Sequence, residues 1–256
     1  MICRNVKISE NLIPGASNKI IKIIERSETM RGEVDLVTWQ SGQNGSIEKH
    51  EDKEQLLFIL EGTGIIQSGH ITSDVKPGDF FFVPANMSYH IIAKGNSPFG
   101  YLLFNAFLAG EITSERKPIF IDNVKSRKVY DFGSNSTILI LDRAEAEQCE
   151  ATIVSWPPHH RGAVVAHNDK EQTFYVISGS GTVMVDKETL PVKVGDVIFV
   201  PYNTPHTTEA GEETLTYFCF NAIATQKKYS SFDEMYHIVI GDRLRRWKEK
   251  DETVGL

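Results

Sequence analysis

Short apolar stretches recur along this chain, each stopped by glycine, proline, asparagine or serine. The first half carries DLVTW (35–39), LLFIL (56–60), DFFFVP (79–84) and YLLFNAF (101–107). The second carries TIVSW (152–156), TFYVI (173–177), TVMV (182–185), DVIFVP (196–201) and YFCFNAI (217–223). They are short and rich in aromatic and β-branched residues, which predicts strands rather than helices. Turn signals every ten or so residues favour a sandwich or barrel. Only SFDEMYHIVIGDRLRRWKEK (231–250) breaks the pattern, where Leu244 and Trp247, three apart, predict a short C-terminal helix.

The two sets of stretches are copies of one another. HEDKEQLLFILEG (50–62) and HNDKEQTFYVISG (167–179) lie 117 residues apart. At the same offset Arg26 falls on Arg143, Trp39 on Trp156, Gly62 on Gly179, Gly78-Asp79 on Gly195-Asp196 and Asn86 on Asn203. Further on the offset is 116, with Gly95 on Gly211 and Phe104-Asn105-Ala106 on Phe220-Asn221-Ala222. One extra residue in the first copy is expected between Asn86 and Gly95, and placing it early brings His90, rather than Tyr89, opposite His206. The shared unit, 17–106 against 134–222, is longer than a solenoid repeat and has the size of a small domain. Two tandem domains follow, 1–116 and 117–256.

These residues resemble the cupin superfamily, and their duplication resembles a bicupin. The family's first motif is a His-x-His pair, a short gap, an acidic residue, six residues and a glycine. Its second is a glycine, five residues, Pro-x-Gly, two residues and a histidine. Gln55 leads by six residues to Gly62, and Gly78 and Gly195 each lead by five to Pro84 and Pro201. The resemblance implies an all-β fold of two tandem double-stranded β-helix (cupin, jelly-roll-like) barrels, and a homodimer for which DFFFVP offers an apolar strand. It departs from the pattern where the chemistry lies. The His-x-His pair reads Glu48-x-His50 in one copy and Val165-x-His167 in the other, the acidic position is Gln55 or Gln172, and Pro-x-Gly ends in Asn86 or Asn203.

The implied metal ligands are therefore Glu48, His50, Gln55 and His90 in the first barrel and His167, Gln172 and His206 in the second. Alternation along a strand puts Glu48 and His50 on one face, and Gln55 on the face of Leu57 and Ile59. Imidazole, amide oxygen and carboxylate together suit Fe, Mn, Ni, Zn or Cu, and some cupins acting on unsaturated uronates look similar in their glutamine. Glu48 supplies the one anionic ligand, so the first barrel is expected to hold the divalent metal more tightly than the second, where Val165 stands in its place. His159 and His160 align with the loop at Gln43-Asn44 and are not expected to reach in. The repeated Asp-Lys-Glu reads as a charged turn, Trp39 and Trp156 as core, Asn86 and Asn203 as turn residues, and Arg26 and Arg143 as partners of Glu28 and Glu145 or as interface residues.

Function narrows to a metal-binding bicupin enzyme acting on a small polar metabolite such as a sugar acid, keto acid or ureido-type compound, by dioxygenase, isomerase, lyase or aminohydrolase chemistry. The alternative is a non-catalytic small-ligand-binding or sensor bicupin. No catalytic residue beyond the metal ligands is singled out, and there is no phosphate loop, nucleotide fingerprint or nucleophile elbow. Apolar residues are 41% and the net charge is −7, which argues against nucleic acid or an anionic membrane as partner. The only dense basic run, Arg243 to Lys250, reads as one solvated helix face. Cys3, Cys149 and Cys219 make no disulfide framework. The opening MICRNVKISENLIPG lacks the apolar core of a secretion signal, and no stretch is long and apolar enough to span a bilayer, so a cytoplasmic protein is expected.

Overall fold

The structure, a computed structural model, describes residues 2–6, 18–111, 115–122, 124 and 126–242. Among them twenty strands run in chain order from β1 to β20. The first barrel is built from β2 (Asn18–Ile24), β3 (Gly32–Trp39), β4 (Glu48–Lys49), β5 (Lys53–Glu61), β6 (Thr63–Ser68), β7 (Ile71–Val75), β8 (Phe80–Val83), β9 (Ser88–Lys94), β10 (Phe99–Phe107) and β11 (Ile119–Ile121). The second uses β12 (Val129–Asp131), β13 (Ser136–Leu141), β14 (Cys149–Trp156), β15 (Lys170–Ser178), β16 (Ser180–Val185), β17 (Glu188–Lys193), β18 (Asp196–Val200), β19 (His206–Ala210), β20 (Leu215–Ile223) and the N-terminal strand β1 (Ile2–Asn5). Every apolar stretch singled out in the sequence lies within or directly beside one of these strands.

Each barrel is two facing sheets with antiparallel pairing throughout. The first has a sheet in the order β11-β8-β5-β10-β3-β2 and a smaller one, β4-β9-β6-β7. The second has β1-β18-β15-β20-β14-β13-β12 and β17-β16-β19. Hydrogen bonding crosses the 116/117 division at both ends. Ile2 pairs with Phe199 of the second barrel, and Ile119, its equivalent in the repeat, pairs with Phe82 of the first. Each copy thus gives its leading strand to the other.

Strand alternation separates two apolar faces. Odd-numbered positions of the first large sheet, including Val37, Trp39, Leu57 and Tyr101, fill the first barrel. Even-numbered ones, among them Leu56, Phe58, Phe80, Phe82 and Phe104, join Ile153, Val197, Phe199, Phe218 and Phe220 in a core shared by the two barrels. Phe58 stacks on Phe80 with ring centroids 4.4 Å apart, and Phe218 sits 5.0 Å from Phe104 and 5.1 Å from Phe80. This corrects the reading of DFFFVP as a dimer surface: Phe80 and Phe82 are buried between the barrels of one chain and Phe81 lies inside the first.

The same seam explains the repeated Asp-Lys-Glu. Glu54 is only 1% exposed and accepts the backbone N–H groups of Glu147 and Gln148 at 2.7 and 2.6 Å. Its repeat equivalent Glu171 accepts those of Met30 and Arg31 at 2.8 and 2.7 Å and of Gly32 at 3.2 Å. Each glutamate therefore caps the loop that leads into a central strand of the other barrel. A charged turn was expected, but neither residue is solvated. Arg26 and Arg143 do not take Glu28 and Glu145 as partners. Arg26 lies over the Phe107 ring, Glu28 pairs with Arg4, and Arg143 pairs with Glu150.

The helix near the C-terminus covers 232–242 within the described residues, and it begins earlier than the spacing implied. Leu244, Trp247 and the basic run from Arg243 lie outside the described residues. The turn assignments hold in backbone angle, since Asn86 and Asn203 have φ of 65° and 53°. Gly45 and Gly162 answer a different need: a Cβ there would stand 2.8 and 2.9 Å from the indoles of Trp39 and Trp156.

Removing one of the reciprocal caps leaves buried N–H groups without an acceptor, and hydrogen bonds to charged groups are worth ~1.5–3 kcal/mol. Glu54→Ala and Glu171→Ala are each expected to lower unfolding free energy by about that much or more in urea titrations. Exposed Glu51→Ala, two positions before the strand, is expected to change it by less than ~0.5 kcal/mol.

Candidate functional site

Three neighbouring strands bring the same polar chain to the interior of each barrel. In the first, Gln55 on β5, Asn105 on β10 and Glu33 on β3 lie side by side in register. Gln55 Nε2 donates to Asn105 Oδ1 at 2.8 Å, and Asn105 Nδ2 donates to Glu33 Oε1 at 3.0 Å. In the second, Gln172 Nε2 donates to Asn221 Oδ1 at 2.9 Å and Asn221 Nδ2 to Glu150 Oε1 at 2.9 Å. A carboxylate only accepts, so it fixes the direction of both amides. Sequence reasoning had found the glutamines but not the asparagine and glutamate behind them. The signal was present, because Glu33 falls on Glu150 and Asn105 on Asn221 in the repeat.

Beyond this chain the barrels diverge. In the first, Tyr89, not His90, faces the interior. Tyr89 is 4% exposed and pairs with Glu48 across β4 and β9, while His90 turns outward to the Gly45 carbonyl and Gln67. The assignment of His90 as a ligand is corrected, and register gives the reason. Tyr89 stands opposite Ser68 as His206 stands opposite Val185, and the 117 offset persists to Ala93 and Ala210. It drops to 116 only at Phe99 and Leu215, so the extra residue lies in the turn between β9 and β10. The Tyr89 hydroxyl donates to Glu48 Oε2 at 3.1 Å. Burial, with Tyr101 and Glu48 beside it, raises the phenol well above its ordinary value, so it remains a donor. His50 Nε2 is 3.5 Å from Glu48 Oε2. A tyrosine thus fills the place of the family's last histidine and ties down Glu48, the carboxylate expected to favour metal there.

The second barrel keeps an open interior. A cavity of about 230 Å³ is lined by His167, Lys170, Gln172, His206, Glu150, Asn221, Thr152 and Thr208, with Val154, Trp156 and Phe174 as apolar wall. Phe132 and, from the C-terminal helix, Phe232 and Met235 also line it. The His167 and His206 ring centroids are 5.3 Å apart. His206 Nδ1 lies 2.9 Å from the Thr204 carbonyl, which can only accept, so Nδ1 carries the proton and Nε2 presents a lone pair. Burial lowers both imidazoles, and for His167 the Lys170 ammonium adds to the effect, so both rings are neutral. Gln172 Oε1 is buried with no hydrogen-bond partner among the described residues. Burial would raise Glu150, but Lys170 and Arg143 hold it below the ordinary carboxylate range. His159 and His160 stay outside on the exposed loop, His159 near Glu212 and His160 on the Pro158 carbonyl.

Two neutral imidazoles and an amide oxygen without a partner fit a divalent ion of the imidazole-and-oxygen-binding kind. No group of three or more His, Cys, Asp or Glu side chains able to hold a metal occurs among the described residues, so any such site depends on the glutamine oxygen.

A fold of this kind, with a buried polar centre inside each barrel, defines a tandem cupin. The Cupin domain model matches residues 35–105 and 152–221, more than half of the chain, and the chain belongs to the cupin family. The crystal structure of protein Ylba from E. coli superposes with a TM-score of 0.70 at 16% identity, covering 86% of this chain and 88% of that one. A Bacillus subtilis oxalate decarboxylase, whose structure was determined in a study of its Mn(II) centres, gives 0.67 at 14% identity, covering 89% and 78%. An uncharacterised protein of Methanocaldococcus jannaschii is 40% identical over 43 residues, 17% of this chain, and the match spans 34% of that protein's length. Among the described residues no helix is long and apolar enough to cross a membrane.

The first barrel's interior also yields a pH dependence. Lys22 pairs with both Glu33 and Asp35, at 3.1 and 3.0 Å. Burial nevertheless raises Asp35 to about 6, against the opposing effect of Lys22. Between its ordinary value of 3.8 and about 6 the folded chain binds a proton here that the unfolded chain does not. Stability from this group is therefore full below that window and lost as pH rises through it, by at most ~1.4 kcal/mol per pH unit. Urea titrations from pH 4 to 7 are expected to show this slope in the wild type and to show it flattened in Asp35→Asn.

Proposed function

We propose that this chain is a metal-dependent enzyme acting on a small polar metabolite, and that the second barrel is its working site. The observation that carries the reading is the unpartnered Gln172 Oε1 beside two neutral imidazoles in one cavity. Burying an acceptor without a partner is costly, and a cation held by His167, His206 and Gln172 would remove that cost. The bound ion would polarise an oxygen of the substrate. This chain's residues do the rest. Thr204 fixes the His206 tautomer, the Glu150–Asn221 pair aims the Gln172 oxygen, and Trp156, Phe174 and Phe232 keep water from one side of the cavity. The Mn(II) centres of the oxalate decarboxylase support a metal by analogy of fold only.

A second reading, a non-catalytic small-ligand binder, is favoured by the absence of a free carboxylate in the cavity. Glu150 is held by Arg143 at 2.5 Å and Asn221 at 2.9 Å, which leaves no unengaged acid to act as a base there among the described residues.

Metal content, measured after purification without chelating resin, tests the first reading. His167→Ala and His206→Ala are expected to fall to background, and His50→Ala to keep the wild-type level. Loss in His50→Ala with retention in His206→Ala would move the working site to the first barrel. A wild type with no metal above background would leave the ligand-binding reading.

A further inference from the structure

We infer that the occupant of the second cavity is a small carboxylic acid, and that Lys170 selects it by pairing with its carboxylate. The inference rests on the second barrel being the working site and adds the class of ligand. Lys170 is the first residue of β15, is 8% exposed and lines the cavity. Its repeat equivalent Lys53 instead lies over the Phe107 ring, so duplication alone does not account for the placement.

The ammonium is poorly satisfied where it stands. Its acceptor among the described residues is Glu150 Oε1 at 3.5 Å, well beyond the ~2.7–2.9 Å of a charge-assisted hydrogen bond. Glu150 cannot close the gap, because Arg143 holds Oε2 at 2.5 Å and Asn221 holds Oε1 at 2.9 Å. An ammonium has three protons to donate, and a buried cation without full partners is costly. The shortfall points into the cavity, where the other polar walls are Gln172, the two imidazoles, Asn221 and neutral threonines, and none of them carries a charge to answer the ammonium.

The charge balance leads to the same occupant. The proposed metal ligands His167, His206 and Gln172 are all neutral, so a dication on them keeps its whole charge, with Lys170 adding to it. An anionic ligand would offset both, and a low-dielectric cavity enlarges that gain relative to water. A single cationic side chain suits a monoanionic carboxylate better than a phosphoryl dianion, and size disfavours a larger anion. At about 230 Å³ the cavity falls below the ~300–1,000 Å³ usual for drug-sized ligands, and Lys170 is the one lysine or arginine lining it among the described residues. The apolar wall of Val154, Trp156 and Phe174 suits a short carbon body.

The test is calorimetric titration of the full-length protein with acetate, pyruvate and lactate, with their neutral amides, and with inorganic phosphate. Wild type, Lys170→Met and Lys170→Arg are compared, with metal content and melting temperature recorded for each. At least one acid is expected to bind at least ~30-fold more tightly than its amide. Lys170→Met is expected to abolish that preference while keeping its metal, and Lys170→Arg to retain part of it. Equal binding of acid and amide, binding of phosphate in preference to every acid, no binding by any of the acids, or a preference that survives in Lys170→Met would each overturn the inference. Failure of the metal reading shows separately, as wild type without metal. The acid-over-amide preference is then read on that protein and still depends on Lys170.

Discussion

Glu54 and Glu171 carry carboxylates into the seam between the barrels, and the architecture on either side depends on how that seam accommodates them. A buried carboxylate is tolerated only with good acceptor geometry and several donors. Here the donors are backbone N–H groups of the opposite barrel, at the loops that enter β14 and β3. Each barrel thereby fixes where a central strand of the other begins. The aromatic layer around Phe58, Phe80, Phe104 and Phe218 supplies apolar burial, and the exchanged strands β1 and β11 close the two large sheets at their edges. Neither barrel completes its hydrogen bonding or its outer apolar face alone, so the duplication is a structural necessity for this sequence.

That constraint also couples the seam to the site. Glu54 and Gln55, like Glu171 and Gln172, are consecutive on one strand, so alternation sends the glutamate outward to the seam and the glutamine inward to the cavity. The cap therefore positions the amide. Behind each glutamine the same Asn–Glu pair sets its orientation, and the two barrels differ in what faces it. Tyr89 stands in the first barrel and donates to Glu48, whereas His206 stands at that place in the second, where Gln172 Oε1 has no partner among the described residues. Tyrosine against histidine at equivalent register is one of the differences between the two interiors, beside Glu48 against Val165.

The charge environments diverge in the same way. Asp35 and Lys22 in the first barrel become Thr152 and Leu139 in the second, where Arg143 and Lys170 supply the cations from the other side of Glu150. A polar interior that is acidic in one barrel has become one with a lysine at its wall in the other. Two interiors with a common backbone plan thus present different chemistry, and the second combines a cavity with an unpartnered glutamine oxygen and two neutral imidazoles.

Much of this was written in the sequence. Strand positions, the tandem repeat, the cupin fold and the inward glutamines all follow from patterns of period two and from one offset, which are local or one-dimensional signals. The indoles of Trp39 and Trp156 and the turns at Asn86 and Asn203 were equally legible. What the sequence left open needed partners distant in the chain. Whether Tyr89 or His90 faces inward turned on where one extra residue sits, and only the pairing of β9 with β6 locates it beyond Ala93. Glu48 was read as a metal-favouring carboxylate because sequence shows a residue's charge but not the tyrosine that meets it across the ladder. Asp-Lys-Glu was read as a solvated turn because its acceptors' donors lie about 90 to 140 residues away. The sequence alone determined the strands and their faces, since alternation is a property of the backbone. The tertiary structure decided what each inward side chain meets, Tyr89 on Glu48 in one barrel and His206 beside His167 in the other, since those partners come from strands far away in sequence.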